Sequence, residues 1–197
     1  MKTEAVEENV CDICGSAGEE SEMAPLAGLG ACSRCRTGDV QPVMDALGYE
    51  NDVRAFHSHS ASGGGGADHV QVDLQRPHAG LELELDCHRQ KGAHGWFARF
   101  MKKTDPEIGI EEFDDNVFLE FSEEHEAAVL SLLSNQGVRQ AISWLAGAGC
   151  GVSLVGRSMT VGAMAWNKSN LPALDDVARY TLALAIHMDR FSSSYTD

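Results

Sequence analysis

The sequence predicts an α+β protein: a small cysteine module, then an antiparallel sheet covered on one face by helices, ending in a hairpin and a C-terminal helix. Three observations carry that prediction. Two C-x2-C pairs stand within the first 35 residues. Apolar residues alternate with polar ones through Val70-Gln71-Val72-Asp73-Leu74 and Leu81-Glu82-Leu83-Glu84-Leu85-Asp86-Cys87, the pattern of strands with one buried face. After Ser122 the apolar spacing becomes helical.

The module comes first. Cys11-Asp12-Ile13-Cys14-Gly15 and Cys32-Ser33-Arg34-Cys35 leave 17 residues between the pairs, the spacing of a four-thiolate metal site. Each pair folds into a knuckle that aims two sulfurs at one point. Gly15 follows Cys14 where the chain needs a positive φ. No Phe, Trp or Tyr occurs between Met1 and Gly48, so a metal has to stand in for the missing core, and its binding energy is folding energy. Cys11, Cys14, Cys32 and Cys35 are therefore expected to hold one structural Zn2+. Four thiolates leave no open coordination position, so the ion is not expected to activate water. Iron accepts the same tetrahedral sulfur set, but such centres lie under aromatic cover, which this module lacks. A thioredoxin-like pair needs a following helix in a βαβ setting, and neither pair has one.

Over residues 11–40 these two pairs resemble a zinc ribbon. That resemblance implies docking, either to nucleic acid or to protein. Residues 1–48 carry three basic side chains against nine acidic ones and no aromatic to stack on a base, which turns the expectation toward a protein partner.

The chain divides into residues 1–48, the module with an acidic N-terminal tail, and residues 49–197, an α+β domain. Pro42 to Glu50 reads as a short helix or turn. Strands are expected at 53–59, 70–74, 81–87, 96–102 and 117–121. The separators are Ser62-Gly63-Gly64-Gly65-Gly66, Arg76-Pro77-His78-Ala79-Gly80 and Lys91-Gly92-Ala93-His94-Gly95, which is turn chemistry. The glycine run is a hairpin loop, since it lacks the Lys-Ser/Thr ending of a phosphate-binding loop. Ser122 then caps a helix whose first turn carries Glu123, Glu124 and Glu126. Asn135-Gln136-Gly137 breaks it, and Val138, Ala141, Ile142 and Leu145 form the stripe of the next helix. A hairpin turns at Gly156-Arg157-Ser158. The last helix, from about Asn170-Leu171-Pro172, is apolar nearly all round, as a helix buried on two sides or shared with a second subunit is. A homodimer through this helix is one expectation. The segment after Thr104-Asp105-Pro106 resembles a group of uncharacterised bacterial proteins, which implies the same fold and supplies no activity.

Formal net charge is −15, from 30 acids against 15 Lys and Arg. That excess repels phosphate backbones and anionic lipid, so nucleic-acid and membrane partners are disfavoured and a basic or neutral protein is favoured. Met1-Lys2-Thr3-Glu4 is no signal peptide, and the apolar runs near residues 144–155 and 181–188 are too short to span a membrane. Six cysteines without a secretory signal point to a reducing compartment, the cytoplasm by default.

Histidines 57, 59, 69 and 78 crowd together. If 53–59 pairs with 69–74, His57, His59 and His69 share a face near Asp73, which makes a metalloenzyme site the first alternative. A one-residue slip in register undoes it, and an open sheet face offers no pocket. Arg89, Lys91, Arg99, Lys102 and Lys103 lie in an acid-free stretch, and residues 104–138 carry acids and no Lys or Arg. These read as solvated faces, or as a docking surface for a basic partner with Trp96, Phe97 and Phe100 as anchor. Trp144 and Trp166 read as core, as does Cys87, and Cys150, flanked by Gly149 and Gly151 at a helix-to-strand corner, has no local base to make it a nucleophile. No Ser-His-Asp order, G-x-S-x-G or H-E-x-x-H occurs. The function expected is that of a non-enzymatic adaptor or complex subunit. The metalloenzyme is the first alternative and a nucleic-acid-associated ribbon the second.

Overall fold

The computed structural model describes residues 9–18, 23–59, 66–76, 83–89 and 108–195. The module is built from short pieces. Strand β1 (Asn9–Val10) pairs with β2 (Ala17–Gly18), and β3 (Ala24–Leu26) with β4 (Leu29–Ala31), both antiparallel. Helix α1 (Ser33–Thr37) and helix α2 (Gln41–Ala46, with Pro42 in its first turn) follow. Ala27 and Gly28 turn the second hairpin at φ 47 and 79, the left-handed pair that a tight two-residue connection demands.

The predicted alternation becomes a six-stranded sheet. Its strands are β5 (Glu50–His59), β6 (Gly66–Gln75), β7 (Glu84–Arg89), β8 (Val117–Phe121), β9 (Gly151–Val155) and β10 (Ser158–Ala165). Their spatial order is β5-β6-β10-β9-β7-β8, every neighbouring pair antiparallel. The β9–β10 hairpin, turning at Gly156, thus sits at the centre of the sheet. Val70, Val72, Leu74, Leu85, Cys87, Val152, Leu154, Met159 and Val161 are buried on one face. Their strand neighbours Asp73, Glu84, Asp86 and Thr160 lie on the other.

Helices cover the apolar face. Between β7 and β8 lies the one-turn α3 (Glu111–Asp114), whose Asp114 accepts the backbone N–H of Ile108, Gly109 and Ile110. Beyond β8, a 3-10 turn at Glu123–His125 opens α4 (Glu126–Ser134). The expected break at 135–137 is a cap. Asn135 Oδ1 accepts the N–H of Gly137 (2.8 Å) and of Val138 (3.3 Å) and starts α5 (Gln136–Gly147). Val138, Ala141, Ile142 and Leu145 are buried as their spacing requires.

Helix α6 (Leu174–Tyr195) is the centre of the packing. Val177, Ala178 and every residue from Thr181 to Met188 are buried. One flank lies on the sheet, another on α5, and a third meets the cysteine module. The breadth of its apolar surface is used within the chain, so the observation that prompts the dimer expectation is accounted for internally. Burying one such Leu or Ile contributes roughly 1.5–3 kcal/mol. A polar tie fixes the helix along the sheet: Arg76, 1% exposed, donates to Gly156 O at 2.8 Å and lies 3.4 Å from Asp189, which also accepts the Tyr49 hydroxyl at 2.6 Å.

Trp144 stacks on Tyr180 with ring centroids 4.0 Å apart, half-buried against the core. Trp166 is not core: it follows the end of β10 and is 73% exposed. The strand expected at 96–102, with its Trp96, Phe97 and Phe100 anchor, lies outside the described residues. So do Leu81-Glu82, His78 and Lys91 to Lys103, the turns at 77–80 and 91–95, most of the glycine run, and Thr104-Asp105-Pro106.

Candidate metal centre

Local backbone chemistry shapes each knuckle. In the first, Cys11 N–H donates to Ser16 O and Gly15 N–H to Cys11 O, both at 2.9 Å, and Gly15 has φ 71, as its place after Cys14 predicts. In the second, β4 delivers Cys32 to the head of α1, and one helical turn brings Cys35 round beneath it. Asp12 locks the two together: its N–H donates to Gly30 O at 2.8 Å and its Oδ2 accepts Gly30 N–H at 2.6 Å. A Cβ at Gly30 would lie 3.2 Å from Asp12 Oδ2, a tight contact beside this bond.

The four sulfurs converge. The Sγ atoms of Cys11, Cys14, Cys32 and Cys35 lie within 4.8 Å of one another, and Cys14 to Cys32 is 3.8 Å. A tetrahedral ion with metal–sulfur bonds of about 2.3 Å sets its sulfurs roughly 3.8 Å apart, so the cluster is the right size to hold a metal. Cys32 N–H also points at Cys11 Sγ from 3.3 Å, the kind of amide donor that supports a thiolate. Among the described residues no other group of three or more His, Cys, Asp or Glu side chains is placed to hold an ion.

The electrostatics agree with the geometry. Burial, reinforced by neighbouring sulfurs, pushes the Cys32 and Cys35 thiols up. Burial also works against ionisation of Cys14, but hydrogen bonds from the Ser16 side chain and backbone outweigh it and draw Cys14 down to about 6. A divalent cation among the sulfurs would offset the burial cost that raises Cys32 and Cys35.

The module is tied to α6 by side chains whose role the cysteine spacing does not reveal. His187, 6% exposed, lies with Nε2 2.7 Å from Ala27 O in the β3–β4 turn. Arg190 donates to Asp12 Oδ1 and O at 3.1 and 3.2 Å. Arg179 donates to Gly38 O at 3.0 Å, just after α1. Nothing in the spacing singles them out, since Asp175, Asp176 and Asp189 stand on the same helix.

The second candidate site does not assemble. In the β5–β6 register Phe56 faces His69, and His57 faces Asp68. Residues directly opposite share a face and successive residues alternate, so His57 and His59 lie on the helix-covered side and His69 on the open side. His69 is stacked on Phe56 (4.6 Å, 2°) and bonded to Ser58 Oγ at 2.7 Å. Asp73, on the open side too, accepts from Arg54, Gln71 and Thr160. The face expected to combine His57, His59 and His69 is therefore split by one residue of register. Cys87 is buried as expected, and Cys150 is buried too; burial raises both thiols, Cys150 to about 11.

No protein-family model, curated protein or solved structure matches the chain. Among the described residues no helix is long and apolar enough to cross a membrane.

Proposed function

We propose that the protein is a non-enzymatic interaction protein or complex subunit whose N-terminal module, a zinc ribbon, is held in shape by one structural Zn2+ on Cys11, Cys14, Cys32 and Cys35. The observation that carries this reading is the convergence of four sulfurs within 4.8 Å of one another between two backbone-braced knuckles. A closed four-thiolate shell supplies folding energy and leaves no position for substrate. In this reading residues 1–48 are the metal module and residues 49–197 the α+β body it rests on. A reducing, cytoplasmic setting keeps the six thiols free for these roles. The net charge of −15 favours a basic or neutral protein partner over nucleic acid.

Metal analysis tests the reading directly. Protein purified without chelator is expected to carry one zinc per chain, with an X-ray absorption spectrum of four sulfurs at about 2.3 Å. Metal-free protein, or a mass short by the hydrogens lost on forming disulfides among these cysteines, overturns it.

A further inference from the structure

The two edges of the six-stranded sheet differ. At the β8 edge Val117, Phe118 and Leu119 are 1, 7 and 1% exposed. At the β5 edge every residue from Arg54 to His59 is exposed, and among the described residues no strand pairs with its outer side. Proteins blunt a free edge with proline, lysine or a bulge. Strand β5 carries charges only in its first half, where Asp52 pairs with Arg54; from Ala55 to His59 it has no Pro, Lys, Asp or Glu, and all ten residues run in unbroken register against β6. An edge of this kind is a template for another strand.

A cleft opens beside that edge. It has a volume of about 430 Å³ and lies between β5, β6 and the loop that leads into α6, with Ala55, Val70, Leu171, Pro172 and Leu174 as apolar walls and Lys168 as a basic one, so the side chain it takes is apolar. His57 is turned within it toward Asp68, Nδ1 to Oδ1 3.0 Å, its ring resting where a Cβ on residue 66 would lie. A strand laid along β5 points alternate side chains to this covered side and the rest to the open side. On the open side Glu50 and Asp52 are exposed at one end, with Asp52 paired to the neighbouring Arg54, and Phe56 at the other. A second copy of the chain brings another −15 to a surface that is already acidic, so charge favours a basic occupant.

We propose that the outer edge of β5 takes an extended segment of a partner protein as a further strand, with one apolar side chain entering the cleft and a basic one facing Glu50. This rests on the reading of the chain as an interaction protein and gives that reading a surface and a partner chemistry. Main-chain hydrogen bonds supply affinity in such an arrangement, and the alternate side chains supply selectivity.

The test uses the full metal-loaded chain and an acetylated, amidated heptapeptide alternating Lys or Arg with Leu or Val. Saturable binding is expected, with amide exchange at alternate β5 positions between Arg54 and His59 slowed about tenfold or more. N-methylating alternate peptide residues should abolish binding, and Ala55→Phe, which fills the cleft from an exposed position, should weaken it about tenfold. The proposal is overturned by absence of saturation at millimolar peptide, or by binding that survives both N-methylation and Ala55→Phe. It is equally overturned if β5 amides are already protected in a protein that light scattering finds dimeric, since a second copy then holds the edge. Zinc content measured on the same sample separates the two readings. A zinc-loaded chain that ignores the peptide sinks the edge alone, and a zinc-free chain that binds it sinks the metal site alone.

Discussion

The cysteine module and the sheet-and-helix body are ordered by different forces. In the body, layers of Val, Leu and Met from β6, β7, β9 and β10 meet α4, α5 and α6, and the helices carry side chains that are 0–1% exposed, such as Leu132, Ile142 and Leu184. In the module the strands are two or three residues long, and the apolar side chains that are buried, Ile13, Leu26 and Leu29 among them, join the body's core. Its interior is four sulfurs and the backbone bonds that aim them. Hydrophobic burial is non-directional and forgives small errors of position, whereas a tetrahedron of thiolates does not. The module therefore has sharp internal geometry with little stability of its own, and the body the reverse.

The largest effect expected from that contrast comes from removing the metal. Apparent zinc-binding energies for such modules are about 10–16 kcal/mol at neutral pH. Chelation, or Cys35→Ser, should strip amide protection from residues 11–37 in hydrogen exchange while β6, β10 and the sheet-facing side of α6 keep theirs. One concerted loss of protection across module and sheet would show that the two are a single unit and dissolve the comparison.

Within the body, the next largest effect is at the buried tie. Asp189→Ala leaves the Arg76 guanidinium buried, with only neutral acceptors, and should cost about 3 kcal/mol in urea unfolding. Adding Arg76→Met should recover much of that loss, because no buried charge then remains. The same carboxylate affects Tyr49. Burial first, then the hydrogen bond to Asp189, raises the Tyr49 hydroxyl above its ordinary value of 10.0. A raised value means the folded state holds the proton more tightly, so this contribution to stability is full below pH 10 and falls away as pH rises beyond it. In Asp189→Ala the alkaline decline should be shallower.

Where module and body meet, Gly137→Ala should cost about 1–3 kcal/mol. A Cβ at 137 would come within 2.2 Å of His187 Nε2 and 2.7 Å of Ala27 O, so α5, α6 and the β3–β4 turn cannot all keep their places. The glycine is required by close approach and not by its backbone angles. A thermal shift of zero for this variant would mean that the three elements are looser than their spacing.

Much of this was legible in the residues. The cysteine spacing states its own geometry, because C-x2-C is a local constraint, and the alternation in Val70–Leu74 and Leu83–Cys87 names its buried face directly. Register was not legible. His69 parts from His57 and His59 by a single position, set by how the chain crosses the glycine-rich connection between β5 and β6, and no apolar pattern in 54–59 fixes that crossing. Helix α6 declares itself buried on more than one side but not by what, since a second subunit and a cysteine module cover apolar surface equally well. The ties from His187, Arg179 and Arg190 span well over a hundred residues of sequence, and nothing local marks them. Trp166 misleads because large aromatic residues are mostly buried, and this one follows the last strand just as the chain leaves the sheet.

The smallest effect expected is at Arg190, and it bears most closely on what holds the module down. Arg190 and Asp12 are 3.1 Å apart, with side chains 52% and 42% exposed. Solvent screens such a pair, and ordering two side chains offsets what attraction remains, so exposed pairs contribute roughly 0–1 kcal/mol. His187 makes its bond to Ala27 O in a buried position, where losing the donor leaves a carbonyl unsatisfied at about 1–3 kcal/mol. Arg190→Ala should therefore leave both the urea midpoint and the chelator concentration that releases zinc almost unchanged, and His187→Ala should lower both. If instead Arg190→Ala loosens the zinc and His187→Ala does not, the module is held by its rim and the buried contact merely fills space.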